Sequence, residues 1–75
     1  MEATVRLRKD FLKEFMSEMD MSQEEMGHNL GFQQSHISRV LNGAVEPNAR
    51  FIAKMMAAFE ASFELFFYVE EEVAA

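Results

Sequence analysis

Residues 21–43 read MSQEEMGHNLGFQQSHISRVLNG and contain the helix-start and helix-end signals that decide the fold. Ser22 followed three residues later by Glu25 is the capping-box pattern that begins a helix. Gly31 predicts the end of that helix, because glycine enters the left-handed backbone region without steric cost. An Asn-Gly turn dipeptide at 42–43 ends a second helix. The stretch therefore predicts two short helices joined by a tight turn, at 23–30 and 34–42.

Apolar residues with helical spacing extend the pattern in both directions. Before the stretch, Leu12, Phe15 and Met19 recur with helical period and lie opposite basic side chains. After it, Phe51 and Met55 repeat the same spacing, and a last, densely apolar segment follows. We therefore predict an all-α fold, a compact five-helix domain that takes up the whole chain, 1–75. The expected helices lie at about 5–19, 23–30, 34–42, 49–59 and 63–72.

The composition limits the classes of protein that the chain can represent. It has 75 residues and no cysteine, which excludes disulfide frameworks and thiolate zinc sites. No apolar run approaches the roughly 20 residues of a membrane span, and the start of the chain lacks the pattern of a secretory signal. These observations predict a soluble cytoplasmic protein with no membrane partner.

The second helix of the pair has two chemically distinct faces. Ile37, Val40 and Leu41 fall on one side of a helical wheel and predict a buried face. The opposite side carries amide, hydroxyl and guanidinium groups, whereas an ordinary solvated face is dominated by Lys and Glu. These groups match the hydrogen-bonding edges of bases in the major groove of DNA. The residues are Gln34, Ser35, Ser38, Arg39 and Asn42.

A capped helix, a glycine turn and a short helix with such a polar face form a helix-turn-helix, whose second helix enters the major groove. The charge of the chain argues against this function. Seven Lys+Arg against thirteen Asp+Glu give a net charge of −6, whereas a protein that binds nucleic acid is expected to be basic. The acids concentrate late in the chain, however, at Glu60, Glu64 and 70–72. Between positions 33 and 53 there are two arginines, one histidine and a single acid, Glu46, so this segment is locally not acidic.

The order of these features resembles the phage repressor and Cro family, also called XRE-like. A Ser-Gln-Glu helix start, a glycine at the turn, Gln-Ser at the opening of the second helix and Asn-Gly after it occur at the spacings of the lambda-repressor pattern. The similarity runs to about Phe66. Such a long colinear match is more specific than a single motif.

The resemblance implies a sequence-specific transcriptional regulator, a repressor, that reads double-stranded DNA with its third helix. It implies that Gln34 reads a base, adenine by its amide pattern, and that Ser35 touches the next base edge. Gln23 would hold a phosphate and brace the Gln34 amide. Asn42 and Asn48 match family positions that hold phosphates and so set the register of the protein on DNA.

His36 and Arg39 have no fixed role in the family. Ser38 and Arg39 lie on the polar face and are assigned to base contacts, with an ion pair to a nearby acid as the alternative for Arg39. His36 and Arg50 are assigned to phosphates. Gly27 stands where the family prefers alanine, and we expect either residue to fit, with glycine costing about 1 kcal/mol of helix propensity.

The segment 63–69 holds more large apolar side chains than one side of a helix in so small a domain can bury. A leftover apolar patch is typical of an interface, and two DNA half-sites about 34 Å apart favour a two-fold dimer on a near-palindromic operator. The alternatives are that these residues close the core, or that the chain is a fragment whose missing part covers them. The predicted homodimer surface consists of Phe63, Phe66, Phe67 and Val69.

No pattern of a catalytic site, cofactor or small-molecule substrate stands out. Glu24 and His28 lie one helical turn apart but lack the further ligands of a metal site, so no metal is expected. Ser35 and His36 are adjacent on a helix and point apart, which is unlike a catalytic pair. The sequence therefore predicts a non-enzymatic, nucleoid-associated regulator. The alternative keeps the fold but makes the chain a protein-interaction module, such as an antitoxin or anti-repressor.

Overall fold

The computed structural model describes residues 2–72, which form five helices and a ribbon of two strands. One strand precedes the five helices in the sequence and the other follows them. The elements are β1 (Glu2–Leu7), α1 (Lys9–Glu18), α2 (Gln23–Leu30), α3 (Gln34–Leu41), α4 (Ala49–Phe59), α5 (Phe63–Phe66) and β2 (Phe67–Glu72).

The expectation of an all-α fold is wrong, because β1 and β2 pair as an antiparallel ribbon. The register runs from Glu2 opposite Glu72 to Leu7 opposite Phe67. The first helix consequently begins at Lys9 rather than near residue 5, and the fifth ends after one turn at Phe66 rather than near residue 72. Aromatic and β-branched residues in 67–69 favour a strand, and a short apolar run cannot be told from a helix by its period.

Side chains and glycine define the ends of the central helices. The Ser22 hydroxyl accepts the backbone N–H of Glu25 at 3.1 Å, and the backbone N–H of Ser22 donates to Glu25 Oε1 at 3.0 Å. Gly31 follows α2 in the left-handed region with φ 78°. Asn48 Oδ1 accepts the N–H of Phe51 at 2.8 Å and begins α4. These bonds satisfy backbone donors that a helix start leaves without partners.

Every element contributes at least one side chain to a single apolar core. Phe66 lies at its aromatic centre, with the rings of Phe15 and Phe59 at centroid distances of 5.5 and 5.8 Å. Met19, whose helical spacing predicts a place on the apolar side of the first helix, is instead exposed, because α1 has ended before it. The buried set is Leu7, Leu12, Met16, Met26, Leu30, Ile37, Val40, Leu41, Phe51, Met55, Phe66 and Phe67.

Two residues of the predicted dimer surface belong to this core. Phe66 and Phe67 are 0% exposed, because the chain passes from α5 directly into β2 and both rings turn inward. They have no surface to offer a second protein. Phe63 is half-buried and stacks on Phe67 at a centroid distance of 5.4 Å, whereas Val69 is 52% exposed.

Helix α2 crosses the turn before α3 at Gly27 with almost no space between the backbones. The Gly27 carbonyl accepts the N–H groups of Gly31 and Phe32, the latter at 2.8 Å. A Cβ at position 27 would lie 2.6 Å from the Phe32 carbonyl oxygen and 3.5 Å from the backbone nitrogen of Gln34. The expectation that alanine fits here as well as glycine is therefore wrong for this chain.

A Gly27→Ala substitution is expected to destabilise the domain by about 1–2 kcal/mol, measured by urea unfolding. Alanine is the better helix former by about 1 kcal/mol, but a methyl group that meets fixed backbone forces α2 away from the turn, and overpacking costs more than this gain. The control is Ala57→Gly on the exposed side of α4, which reports the propensity difference alone. A Gly27→Ala variant at least as stable as the parent would contradict the crossing geometry.

Candidate nucleic-acid interface

The core holds α3 by its aliphatic side. Ile37, Val40 and Leu41 are almost completely buried. Each lies on the same side of the helix, so the opposite side is turned away from the core. Because α3 is only eight residues long, burial of these three side chains sets its orientation on the domain.

The outward side of α3 presents polar groups that the rest of the described chain does not use. Gln34, Ser35 and Arg39 are exposed and form no side-chain hydrogen bond or ion pair with another residue of 2–72. The ion pair considered for Arg39 is thus not formed within that range. Ser38 is half-buried, and its hydroxyl accepts a hydrogen bond from Asn42 Nδ2 at 3.4 Å. An amide, a hydroxyl and a guanidinium therefore remain available to an external partner.

Two amide residues border this side of α3. Gln23 lies half-buried in the first turn of α2, and no hydrogen bond joins it to Gln34, so the expected bracing of the Gln34 amide stays a prediction for the bound state. Asn48 is exposed at the beginning of α4 and uses Oδ1 in its cap. Its Nδ2 makes no hydrogen bond within residues 2–72 and can donate to a phosphate.

Phe32, in the turn between α2 and α3, carries a histidine and an arginine on its ring. The His36 imidazole stacks on it at a centroid distance of 5.0 Å, and the Arg50 guanidinium carbon lies 5.3 Å from the ring centre. His36 Nε2 is buried and has no hydrogen-bond partner in the described chain. That nitrogen is therefore closed to the phosphate assigned to His36 from sequence. Arg50, by contrast, is exposed and held beside the beginning of α3.

Sequence reasoning missed a lysine at the other end of α3. A Cβ added to Gly43 would lie 2.8 Å from Lys9 Nζ, so the ammonium group sits against the turn that follows the helix. A cation at this position interacts favourably with the negative end of the helix dipole. Lys9 and Arg50 thus bracket α3. No signal in the sequence connects residue 9 with residue 43, because their contact depends on the packing of α1.

Carboxylates also border the site, which limits its positive potential. Glu24 and Glu25 line the groove between α2 and α3 together with Gln34. Glu46, in the loop before α4, pairs with Arg6 at 3.5 Å. Hydrogen bonds to the Glu25 carboxylate, first from the backbone N–H of Ser22 and then from its hydroxyl, hold the pKa of Glu25 below its ordinary value.

The turn geometry, the buried aliphatic side and the free polar side of α3 together define a helix-turn-helix, and the comparison with known families agrees. The helix-turn-helix family model HTH_3 matches residues 12–66. The chain belongs to this XRE-type helix-turn-helix family. The family is one of DNA-binding transcription regulators and is not a class of enzymes.

A relative with the same type of domain is found in Bacillus subtilis. The uncharacterised HTH-type transcriptional regulator YvzC of strain 168 is 32% identical to this chain over 66 residues, which cover 88% of the chain and 86% of that protein. No solved structure matches the chain significantly. Between Glu2 and Glu72, no helix has the length and apolar character that crossing a bilayer requires. The same residues contain no group of three or more His, Asp or Glu side chains placed to hold a metal ion.

The capping box predicts a pH-dependent contribution of Glu25 to stability. Because its pKa is lowered in the folded state, this contribution is fully present above the pKa of the unfolded chain and is lost as the pH falls through the folded-state pKa. Glu25→Gln should therefore lower the free energy of unfolding more at pH 7 than at about pH 3. Glu24→Gln removes the neighbouring first-turn carboxylate, which makes no such bonds, and is the control. Equal effects of Glu25→Gln at the two pH values would contradict this role.

Proposed function

We propose that this protein is a sequence-specific transcriptional repressor that docks α3 in the major groove of operator DNA, and that it does so as a homodimer on a near-palindromic site. The observation that carries the proposal is the arrangement of α3. Its aliphatic side is buried, while Gln34, Ser35 and Arg39 face outward without partners in the described chain. Membership of a family of DNA-binding regulators supports it.

The exposed groups of α3 have the chemistry of base readers. A glutamine amide donates and accepts side by side and so matches the N6 and N7 edge of adenine, which we assign to Gln34. Arginine matches O6 and N7 of guanine, and serine can serve several bases, which gives Arg39, Ser35 and Ser38 their assignments. An eight-residue helix is about 12 Å long, close to the width of the major groove.

The surroundings of α3 supply groups that can hold the DNA backbone. Arg50 and Lys9 place a cation near each end of the helix. Asn42, Asn48 and Gln23 add amides beside them. Contacts of this kind set the position of a protein on the duplex and carry no sequence information themselves. We therefore assign these five residues to phosphates and the outward side of α3 to bases.

Dimerisation suits a domain of this charge. With a net charge of −6, one copy gains little affinity from non-specific electrostatic attraction to DNA. Its affinity therefore depends on the contacts that α3 and its surroundings make at one half-site. Two copies related by a two-fold axis read two half-sites about 34 Å apart and double those contacts. A dimer bound to its operator excludes other proteins from that stretch of chromosomal DNA. We infer that the protein represses transcription in this way.

A Gln34→Ala substitution is expected to cost about 1–3 kcal/mol of binding to the selected operator and to relax the preference at one base position of each half-site. A binding-site selection from random duplex DNA, run on parent and variant, measures both effects. Asn29→Ala removes an exposed amide from α2 and is the control. If Gln34→Ala binds every operator sequence as the parent does, Gln34 does not read a base.

An Arg50→Ala substitution is expected to weaken binding to all DNA sequences alike. Loss of one phosphate contact lowers the slope of the logarithm of affinity against the logarithm of salt concentration by about one. Lys13→Ala removes one exposed cation from α1 and is the matched control for net charge. If the two variants show equal salt-dependence slopes, Arg50 makes no phosphate contact and serves only to pack against Phe32. A parent whose binding is insensitive to salt would favour a protein partner over DNA.

A further inference from the structure

The ribbon of β1 and β2 has two free edges. Each strand pairs only with the other within residues 2–72, and no backbone hydrogen bond outside the ribbon involves residues 2–7 or 68–72. A free strand edge presents a row of backbone donors and acceptors to any strand that can match it. A two-stranded ribbon is also marginally stable by itself. The two edges differ sharply in charge, which decides how each can be used.

We propose that two copies of this chain associate through the free edge of β1, which pairs antiparallel with β1 of the second copy about a two-fold axis at Thr4. This inference deepens the proposed function, since it names the surface that makes the repressor a dimer. The pairing forms a four-stranded sheet in the order β2, β1, β1, β2. It places Glu2 opposite Arg6 of the second copy, and the symmetry repeats this pair.

The side chains of β1 are self-complementary in this register. Residues opposite each other in antiparallel strands share a face of the sheet. The polar side chains of Glu2, Thr4 and Arg6 alternate with the apolar ones of Ala3 and Val5. Pairing about Thr4 keeps each face uniform, because Ala3 meets Val5 and Thr4 meets Thr4. A slip by one residue would mix the two faces, and no other register puts Glu2 opposite Arg6.

Both partners of this charge pair have unused capacity in the single chain. Glu2 lies opposite Glu72 in its own ribbon, and like charges in this position are unfavourable. Arg6 donates from Nε to Glu70 at 3.1 Å and from Nη1 to Glu46 at 3.5 Å, while its Nη2 has no partner in the described chain. An approaching Glu2 of the second copy can accept from Nη2. The association thus compensates the Glu2–Glu72 repulsion.

The edge of β2 cannot be used in the same way. Three consecutive glutamates occupy 70–72, so antiparallel pairing of β2 with itself about this segment would bring six carboxylates close together. At a net charge of −6 per chain this repulsion is not compensated elsewhere in the strand. Self-association through the ribbon is therefore more favourable at β1 than at β2.

The four-stranded sheet also gives the exposed apolar side chains of the ribbon a common face. Val5 and Val69 are opposite each other, and Val69 is 52% exposed. Ala3 lies on the same face, and Phe63 rests on Phe67 at its core end. Joining two ribbons at β1 places Val5 of each copy opposite Ala3 of the other and continues this face across the axis. Phe63 and Val69, expected from sequence at a dimer interface, would then flank it.

The first test is a charge reversal measured by sedimentation equilibrium without DNA. Glu2→Lys puts a lysine opposite Arg6 of the second copy and should raise the dimer Kd about tenfold. Glu72→Lys is the matched control, since it removes the same Glu2–Glu72 repulsion and changes the net charge equally, but lies on β2. It should leave the dimer Kd unchanged or lower it. Thermal unfolding should show neither variant less stable than the parent. A dimer unaffected by Glu2→Lys, or weakened equally by both, overturns the proposal.

The second test uses the absence of cysteine in the chain. Directly opposite residues in antiparallel strands have Cα atoms about 4.5–5.5 Å apart, within the range that a disulfide spans. Thr4→Cys should therefore form a covalent dimer on mild oxidation, whereas Glu71→Cys, on β2, should remain monomeric in a reducing-agent-free gel. Cross-linking at position 71 instead of position 4, or a parent that is monomeric at all concentrations, overturns the proposal.

The oxidised Thr4→Cys dimer separates this inference from the proposed function. If it forms but binds no DNA, the β1 interface holds and the repressor function fails. If the parent binds its operator as a dimer but Thr4→Cys does not cross-link, the function holds and the interface lies elsewhere.

Discussion

The close crossing of α2 over the turn before α3 is the contact on which the site depends. It is made by backbone, since the Gly27 carbonyl accepts the Phe32 N–H at 2.8 Å and no Cβ fits between the segments. Because the backbone of Phe32 is held there, its side chain is also held. The ring packs on Phe51 in the core and carries His36 on α3 and Arg50 on α4. One turn residue thereby fixes the position of α3 relative to the cation beside it.

The acidic composition and a DNA-binding site coexist because the carboxylates are unevenly distributed and partly engaged. The capping box uses Glu25 to begin α2, and Glu46 is paired with Arg6 of the ribbon. Arg39, Arg50 and Lys9 lie on or at the ends of α3. The local arrangement therefore differs from what the sum of charges indicates. Such a site favours specific contacts over general attraction to the phosphate backbone.

The helix-turn-helix could be predicted from sequence because its signals are local. Ser22 with Glu25, Gly31, and the aliphatic triad of α3 act within one or two helical turns, and each reports directly on backbone conformation or burial. The outward position of Gln34 follows from the same period. The approach of Arg50 to Phe32 and of Lys9 to Gly43 could not be predicted, because they depend on how separate helices pack.

The ribbon was not predicted from sequence, for a related reason. Each strand is six residues long and contains apolar side chains compatible with either period, so only the partner decides its conformation. That partner lies at the other end of the described chain, where Glu2 faces Glu72. The error about Phe66 and Phe67 follows from it, because a long fifth helix would have turned some of these rings outward, whereas the switch to β2 buries both.

This separation in sequence has a consequence for synthesis on the ribosome. Translation delivers β1 before β2, so β1 has no pairing strand until the helices between them have been synthesised. Contacts within α2 and α3 join residues that are close in sequence, so they form early. The ribbon, in contrast, must close a loop of about sixty residues. The nascent strand is thus unprotected on both sides for most of that time, and its mixed charge at Glu2 and Arg6 limits aggregation with neighbouring nascent chains.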